Sequence, residues 1–216
     1  MGNDAQTRVL DDPTDETLML RVRGGDDDAF DLLVRRYRNP IFSFILRSLG
    51  DRETAEELSQ DAFVRLWSAA GSYVPTARFS TYLYHIARNL CRDHLDRLRT
   101  RTPALSLNGA TRAESDWTLE ETIQDPRPGP DGELTRRALA EEIENALSAL
   151  NPDHRDVFML TEIHGLSYEE ASSVLQCPVG TVASRKYAAM RTLRRLLASL
   201  GAERFRSNDA ATGALR

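Results

Sequence analysis

The chain has only two cysteines, Cys91 and Cys177, far apart in sequence. No disulfide framework and no paired-cysteine metal motif is possible, and a reducing cytoplasm is the simplest setting. No run of about eighteen apolar residues occurs, and the N-terminus lacks both a basic start and an apolar segment, so neither a membrane span nor a secretory leader is expected. Strand-type alternation is missing throughout, which leaves an all-α chain. No nucleophile–base pair, phosphate loop or paired acidic site is found, so the residues call for no enzyme and no cofactor. His85, Cys91 and His94 share a segment but have no fourth ligand, and no metal is expected. Positive charge is also short overall: 28 Lys+Arg against 33 Asp+Glu give a net charge of −5, which by itself argues against a nucleic-acid partner.

Charge taken by segment reverses that last inference. Residues 78–101 hold 6 basic and 2 acidic side chains, and residues 181–206 hold 7 and 1. The intervening stretches 102–133 and 134–180 each carry −5. Two basic islands in an acidic chain attract phosphate locally while the remainder limits indiscriminate binding. Two nucleic-acid contacts are implied.

The second island lies in the most informative stretch. Ser167 with Glu170 forms a capping box at the start of one short helix, and Pro178 opens another, from which Val182, Ala189, Leu193, Leu196 and Leu197 recur at helical spacing. This is a helix-turn-helix. The second helix carries Thr181, Ser184, Arg185, Lys186, Arg191, Arg194 and Arg195, the donors that base edges and phosphates require. Gln176 stands at the corner where left-handed backbone favours glycine.

Upstream, Phe30, Leu33, Val34 and Tyr37 mark a helical stripe, and Asn39-Pro40 is expected to cap and restart the pattern with Ile41, Phe44, Ile45 and Leu49 inward. Gly50 ends it and Asp51 caps the next helix, with Ala55, Leu58, Ala62, Phe63, Leu66 and Trp67 inward and Val64 the one apolar residue outward. Ser80 is expected to cap a helix through Thr102 with Leu83, Ile86, Ala87, Leu90, Leu95 and Leu98 inward. Tyr73, Phe79, Tyr82 and Tyr84 interleave there with Arg78, Arg88, Arg92, Arg97, Arg99 and Arg101, a composition suited to stacking on unpaired bases. Tyr82 and Tyr84 equally suit the core. The C-terminal unit has Leu139, Ile143, Ala146, Leu147 and Leu150 inward, then Val157, Phe158, Leu160 and Ile163. The expected organisation is an acidic extension 1–26, a helical bundle 27–101, a flexible acidic linker 102–133, a helix-turn-helix unit 134–200 and a tail 201–216.

These blocks resemble, in order, the bacterial RNA polymerase sigma factors of the sigma-70 family, in the extracytoplasmic-function (ECF) group. The resemblance is carried by Ala29-Phe30 with Arg36-Tyr37, by residues 55–67, by residues 79–89 with Asp93, and by Gly165–Tyr168 with Gly180–Val182 and Ser184-Arg185. It implies an alternative sigma factor that binds core RNA polymerase and promoter DNA, has no active site of its own, and is held by an anti-sigma factor. It places core-polymerase contacts at Glu57, Gln60, Asp61, Val64 and Arg65. The minus-ten strand falls to Arg78, Phe79, Ser80, Tyr82, His85, Arg88, Asn89 and Arg92, and the minus-thirty-five element to Thr181, Ser184, Arg185, Lys186 and Arg191. Ala183 departs from the family's basic residue. The acidic linker residues Glu114, Asp116, Glu120, Glu121 and Asp125 would mimic nucleic acid in a polymerase channel or serve only as a spacer, and Trp117 with Leu119 and Ile123 hints at an anchor. A stand-alone helix-turn-helix regulator, binding duplex DNA without polymerase, is the other reading.

Overall fold

The computed structural model describes residues 12–101 and 130–213, with side chains for 12–100 and 139–198. Within them every regular element is helical: α1 Asp15–Arg23, α2 Asp27–Leu49, α3 Arg52–Ala69, a 3₁₀ turn Ala70–Ser72, α4 Phe79–Arg101, α5 Pro130–Ser148, α6 Pro152–Phe158, a π turn Met159–Ile163, α7 Tyr168–Leu175 and α8 Val179–Gly213. The linker residues singled out above lie outside the described residues.

The first bundle wraps α1–α4 around Leu18, Met19, Leu33, Phe44, Ile45, Leu58, Leu66, Leu83 and Tyr84, all buried. Helix α1 belongs to this core through Leu18, Met19 and Val22. Its acidic end also ties down the neighbours: Asp15 accepts from the Tyr37 hydroxyl at 2.5 Å and pairs with Arg36 at 2.5 Å. Edge-on rings, Tyr37 on Phe79 at 5.2 Å and Phe44 on Tyr84 at 5.5 Å, fix the packing, each such pair contributing about 0.5–1.5 kcal/mol beyond its buried area.

Three sequence expectations give way to the structure here. Asn39-Pro40 does not restart a helix, because α2 runs unbroken through Pro40. The proline removes only the donor that would meet the Arg36 carbonyl, and burial of Ile41, Phe44 and Ile45 on the far side outweighs that loss. Ser80 does not cap α4. The helix begins at Phe79, whose amide is taken by Glu16 Oε1 of α1 at 2.7 Å, a long-range cap that no local pattern reveals. Trp67, Leu98, Leu139 and Ile163, expected inward, are exposed at the edges of their stripes, with Trp67 resting edge-on against Phe30 at 4.8 Å.

The second bundle packs α5–α8 over Leu147, Leu150, Val157, Met159, Leu160, Val174, Val182 and Ala189. The capping box at Ser167 forms, Glu170 N donating to Ser167 Oγ at 3.1 Å and Ser167 N to Glu170 Oε2 at 2.7 Å. Helix α5 starts at Pro130, ahead of the expected boundary, and α8 continues past residue 200 to Gly213. Gln176 does take the left-handed corner, at φ 53° and ψ 44°.

Candidate nucleic-acid interface

Helix α4 sorts the minus-ten candidates by register. Phe79 and Tyr84 are buried, so both build the core, and Phe79 is thereby withdrawn from the strand-facing set. Tyr82, His85, Arg88 and Asn89 are half-buried along the other side, and Arg78 and Arg92 stand further out. His85 Nδ1 lies 3.2 Å from the Asn89 side-chain amide, which fixes the imidazole plane along the helix. Tyr73 from the preceding loop packs on Phe79 at 6.5 Å and on Tyr82 at 5.5 Å, which ties the loop to the helix face. Burial beside Glu16 pushes the Tyr73 phenol up to about 12, and burial pushes the Cys91 thiol up to about 12, making Cys91 an inert core residue.

Helix α3 presents a second surface. Glu57, Gln60, Asp61, Val64 and Arg65 all face solvent, spaced so that they share one side of the helix. Val64 is 62 % exposed and Trp67 44 %. The apolar centre of this face is therefore larger than the sequence suggested. Among the described residues no ion pair engages Glu57, Asp61 or Arg65.

On α8 the buried positions Val182, Ala189 and Leu193 set the outward direction. Ser184, Tyr187, Arg191 and Arg194 point away from the bundle, and Tyr187 is 70 % exposed. Arg185 and Lys186 flank the buried stripe and are held by acids of α6 and the π turn, Arg185 to Asp153 at 2.5 Å and Lys186 to Glu162 at 2.5 Å. Lys186 also sits 4.9 Å over the Tyr168 ring. Thr181 is half-buried next to the helix start. Tyr187 was missed by sequence reasoning, though its spacing from Ser184 and Arg191 on the outward face was the available signal. A groove of about 540 Å³ is lined by Tyr168, Ala183, Tyr187, Met190, Arg191 and Arg194, with Ala183 contributing only its methyl group.

The two bundles also meet each other. Arg88 Nε lies 3.1 Å from Asp156 Oδ2, Ser48 Oγ donates to Asp156 Oδ1 at 3.2 Å, and Arg155 Nη1 donates to the Arg47 carbonyl at 2.6 Å. Arg47 pairs with Glu144. His164, placed by the π turn whose Met159 carbonyl accepts its amide at 2.9 Å, packs on Tyr84 at 4.7 Å and Phe44 at 6.2 Å. Burial raises the Asp156 carboxyl, with Arg88 opposing it, and pushes His164 down to about 3.

That depression has a signed consequence. The native imidazole stays neutral while the unfolded one takes a proton below about pH 6.5. The contribution of His164 is thus complete above that value and is lost as pH falls from there toward 3. Asp156, with its raised pKa, runs the other way, so the variant His164→Gln isolates the effect. The stability difference between wild type and His164→Gln should shrink by about 1.4 kcal/mol between pH 7.5 and 5.5. Parallel urea midpoints across that range would show instead that His164 is free to ionise in the native state.

The comparisons with known proteins fall on these same elements. A family model described as Sigma-70 region 2 matches residues 33–101, and one described as Sigma-70, region 4 matches residues 140–193. The RNA polymerase sigma-H factor of Pseudomonas aeruginosa is 33% identical over 194 residues, covering 89% of this chain and 98% of that protein. The ECF RNA polymerase sigma-E factor of Escherichia coli K12 is 32% identical over 182 residues, covering 83% and 92%. Among solved structures, CnrH in complex with the cytosolic domain of CnrY is 27% identical with a TM-score of 0.58, over 87% of this chain and 99% of that one. The sigma factor RpoE in complex with the anti-sigma factor NepR, from Bartonella quintana, is 21% identical with a TM-score of 0.59, over 78% and 96%, and shows the fold alone.

Proposed function

The chain belongs to the sigma-70 family, in its ECF group, and is a promoter-recognising alternative sigma factor; from that premise we propose which of its surfaces does which part of the work. The first bundle, α1–α4, docks on core RNA polymerase and holds the minus-ten strand, and the second, α5–α8, holds the minus-thirty-five duplex. Sigma factors select promoters and leave bond-making to the polymerase, so the chain needs no catalytic residue. The comparisons give no support to a stand-alone regulator.

The docking face is α3: Glu57, Gln60, Asp61 and Arg65 set orientation around Val64 and Trp67. The observation that carries this assignment is the exposed apolar pair Val64 and Trp67, ringed by Glu57, Asp61 and Arg65, which no ion pair engages among the described residues, the composition of an interface centre and rim. Strand capture falls to Arg78, Ser80, Tyr82, His85, Arg88, Asn89 and Arg92 of α4, where a stacked base contributes about 1–3 kcal/mol. Duplex recognition falls to Thr181, Ser184, Arg185, Lys186 and Arg191, to which Tyr187 is added for its outward place. The ion pairs at Arg185 and Lys186 are part-exposed, and surface pairs contribute little, so phosphate can displace Asp153 and Glu162. CnrH, 27% identical to this chain, has been solved with the cytosolic domain of CnrY, and a protein partner of the anti-sigma kind is part of the same proposal for this chain. No helix among the described residues is long and apolar enough to cross a membrane.

The test is run-off transcription with purified core polymerase. The chain should co-elute with core and direct initiation at defined start sites, and failure of both would overturn the assignment. Within that assay Arg185→Ala should weaken capture of the upstream element by about tenfold, the worth of one charged contact, and leave affinity for core intact. Loss of both together would mean that Arg185 holds the bundle and does not read DNA.

A further inference from the structure

Helix α1 lies ahead of the stretch matched as region 2, which begins at residue 33, and none of the contact residues assigned above comes from it. It nevertheless holds both ends of one short segment. Arg23 Nη1, from the last turn of α1, donates to the Tyr73 carbonyl at 3.3 Å, and Glu16 Oε1, from the first turn, accepts from the Phe79 amide at 2.7 Å. Tyr73 and Phe79 are buried, and every residue between them, Val74 to Arg78, is exposed. Among the described residues these two hydrogen bonds are the ones that join the backbone of 73–79 to a helix other than its flanking elements.

We propose that α1 is a positioning clamp for strand capture: Glu16 and Arg23 hold the exposed segment 74–78 in the shape that receives an unpaired base, an assignment that rests on the reading of Arg78 and α4 as the strand-binding face. Neither residue touches DNA. Each acts through the aromatic residue whose backbone it holds.

The segment has a local shape but takes its orientation from its ends. Pro75 fixes its own φ and biases Val74 toward extended backbone, and Thr76 N closes a tight turn on the Val74 carbonyl at 2.8 Å. At the start, the Tyr73 hydroxyl is buried without a hydrogen-bond partner, so ring packing on Phe79 and Tyr82 and the Arg23 tether are what fix it. At the finish, the Glu16 carboxylate takes an amide that has no partner within α4, where the helix dipole favours negative charge. Glu16 and Arg23 stand two turns apart on one side of α1, so a rigid strut of about 10 Å sets the separation of the two ends. A segment ordered in advance loses less conformational entropy when a base enters it.

The test is transcription of a randomised promoter library by core polymerase reconstituted with the full chain. Glu16→Ala and Arg23→Ala should each lower the enrichment of the downstream block about tenfold, the fall expected when the competent fraction of the segment drops to a tenth. The upstream block and co-elution with core should not change. Glu16→Gln keeps an oxygen for the Phe79 amide and Arg23→Lys a donor for the Tyr73 carbonyl, so each should restore most of the loss. Asp51→Ala removes a helix cap from the same bundle, away from the segment, and should leave the downstream block at its wild-type strength. A downstream block that survives both alanine variants, or that Asp51→Ala weakens equally, would overturn the clamp. If Arg78→Ala and Arg92→Ala weaken that block while Glu16→Ala and Arg23→Ala do not, only the clamp is lost. If Arg78→Ala and Arg92→Ala leave it intact, the reading of α4 fails and takes the clamp with it.

Discussion

Replacing Arg155 with alanine should lower stability by about 2–4 kcal/mol, the largest loss expected from any single charged residue of the second bundle. Its Nε donates to the Leu147 carbonyl at 2.9 Å, and Nη2 to the carbonyls of Ser148 at 2.8 Å and Leu150 at 3.2 Å, gathering three carbonyls at and just past the end of α5. Nη1 reaches across to the Arg47 carbonyl near the end of α2 at 2.6 Å. One planar guanidinium thus ends two helices from two bundles. Burial lowers its pKa from the ordinary value, but the group stays cationic at neutral pH, and hydrogen bonds from a charged donor contribute about 1.5–3 kcal/mol each before water replaces the exposed ones. Lysine keeps the charge without the fork, so Arg155→Lys should recover less than half of the loss. Urea unfolding followed by far-ultraviolet circular dichroism reads both. A change below about 0.5 kcal/mol for Arg155→Ala would mean that water satisfies these carbonyls equally well.

The second large effect is functional. Val64→Asp, with Asp61→Arg as a charge-reversing companion, should reduce run-off transcription by more than about thirtyfold, since central apolar anchors carry 2 kcal/mol or more of an interface. Both side chains are exposed and no internal hydrogen bond engages them among the described residues, so the melting temperature should stay within about 2 °C of wild type. Equal transcription from wild type and Val64→Asp would remove α3 from the docking surface. Equal transcription with a shifted promoter preference would move α3 to the DNA side.

Local features were legible in the residues themselves. The capping box at Ser167, the left-handed Gly50, the Asp51 cap and the stripes through Leu58, Leu66, Leu83 and Val182 follow from spacing and short-range chemistry, and the structure bears them out. What spacing missed depends on elements distant in sequence. Glu16 caps α4 from 63 residues away, which made Ser80 look like the cap. Pro40 reads locally as a helix start and is overruled by tertiary burial on both sides of it. Trp67 and Leu139 sit at the margin of an apolar stripe, where the pattern alone cannot tell the last buried residue from the first exposed one.

The same division holds for the site. The outward rows of α3 and the basic stretch of α4 were visible from helical periodicity. That Arg88 and Arg92 face Asp156 and Gln176 was not, because neither partner lies on the same element and both belong to segments with their own local explanation. Gln176 registered only as an anomaly of backbone preference, and its side-chain contacts with Arg92 and His85 were not legible. Thr181, Ser184, Arg185, Lys186 and Arg191 were readable from residue type and spacing; that Arg185 and Lys186 meet Asp153 and Glu162 of other elements, and that Tyr187 stands outward between Ser184 and Arg191, was not.

One chain, docked on polymerase, reads two separated promoter elements with its two bundles. Transcription from a randomised promoter library by core polymerase plus this chain tests it most directly. Active templates should share two short conserved blocks at a fixed spacing, with the upstream block relaxed by Arg185→Ala and the downstream block by Arg88→Ala. Enrichment of a single duplex block, bound equally well without polymerase, would contradict it.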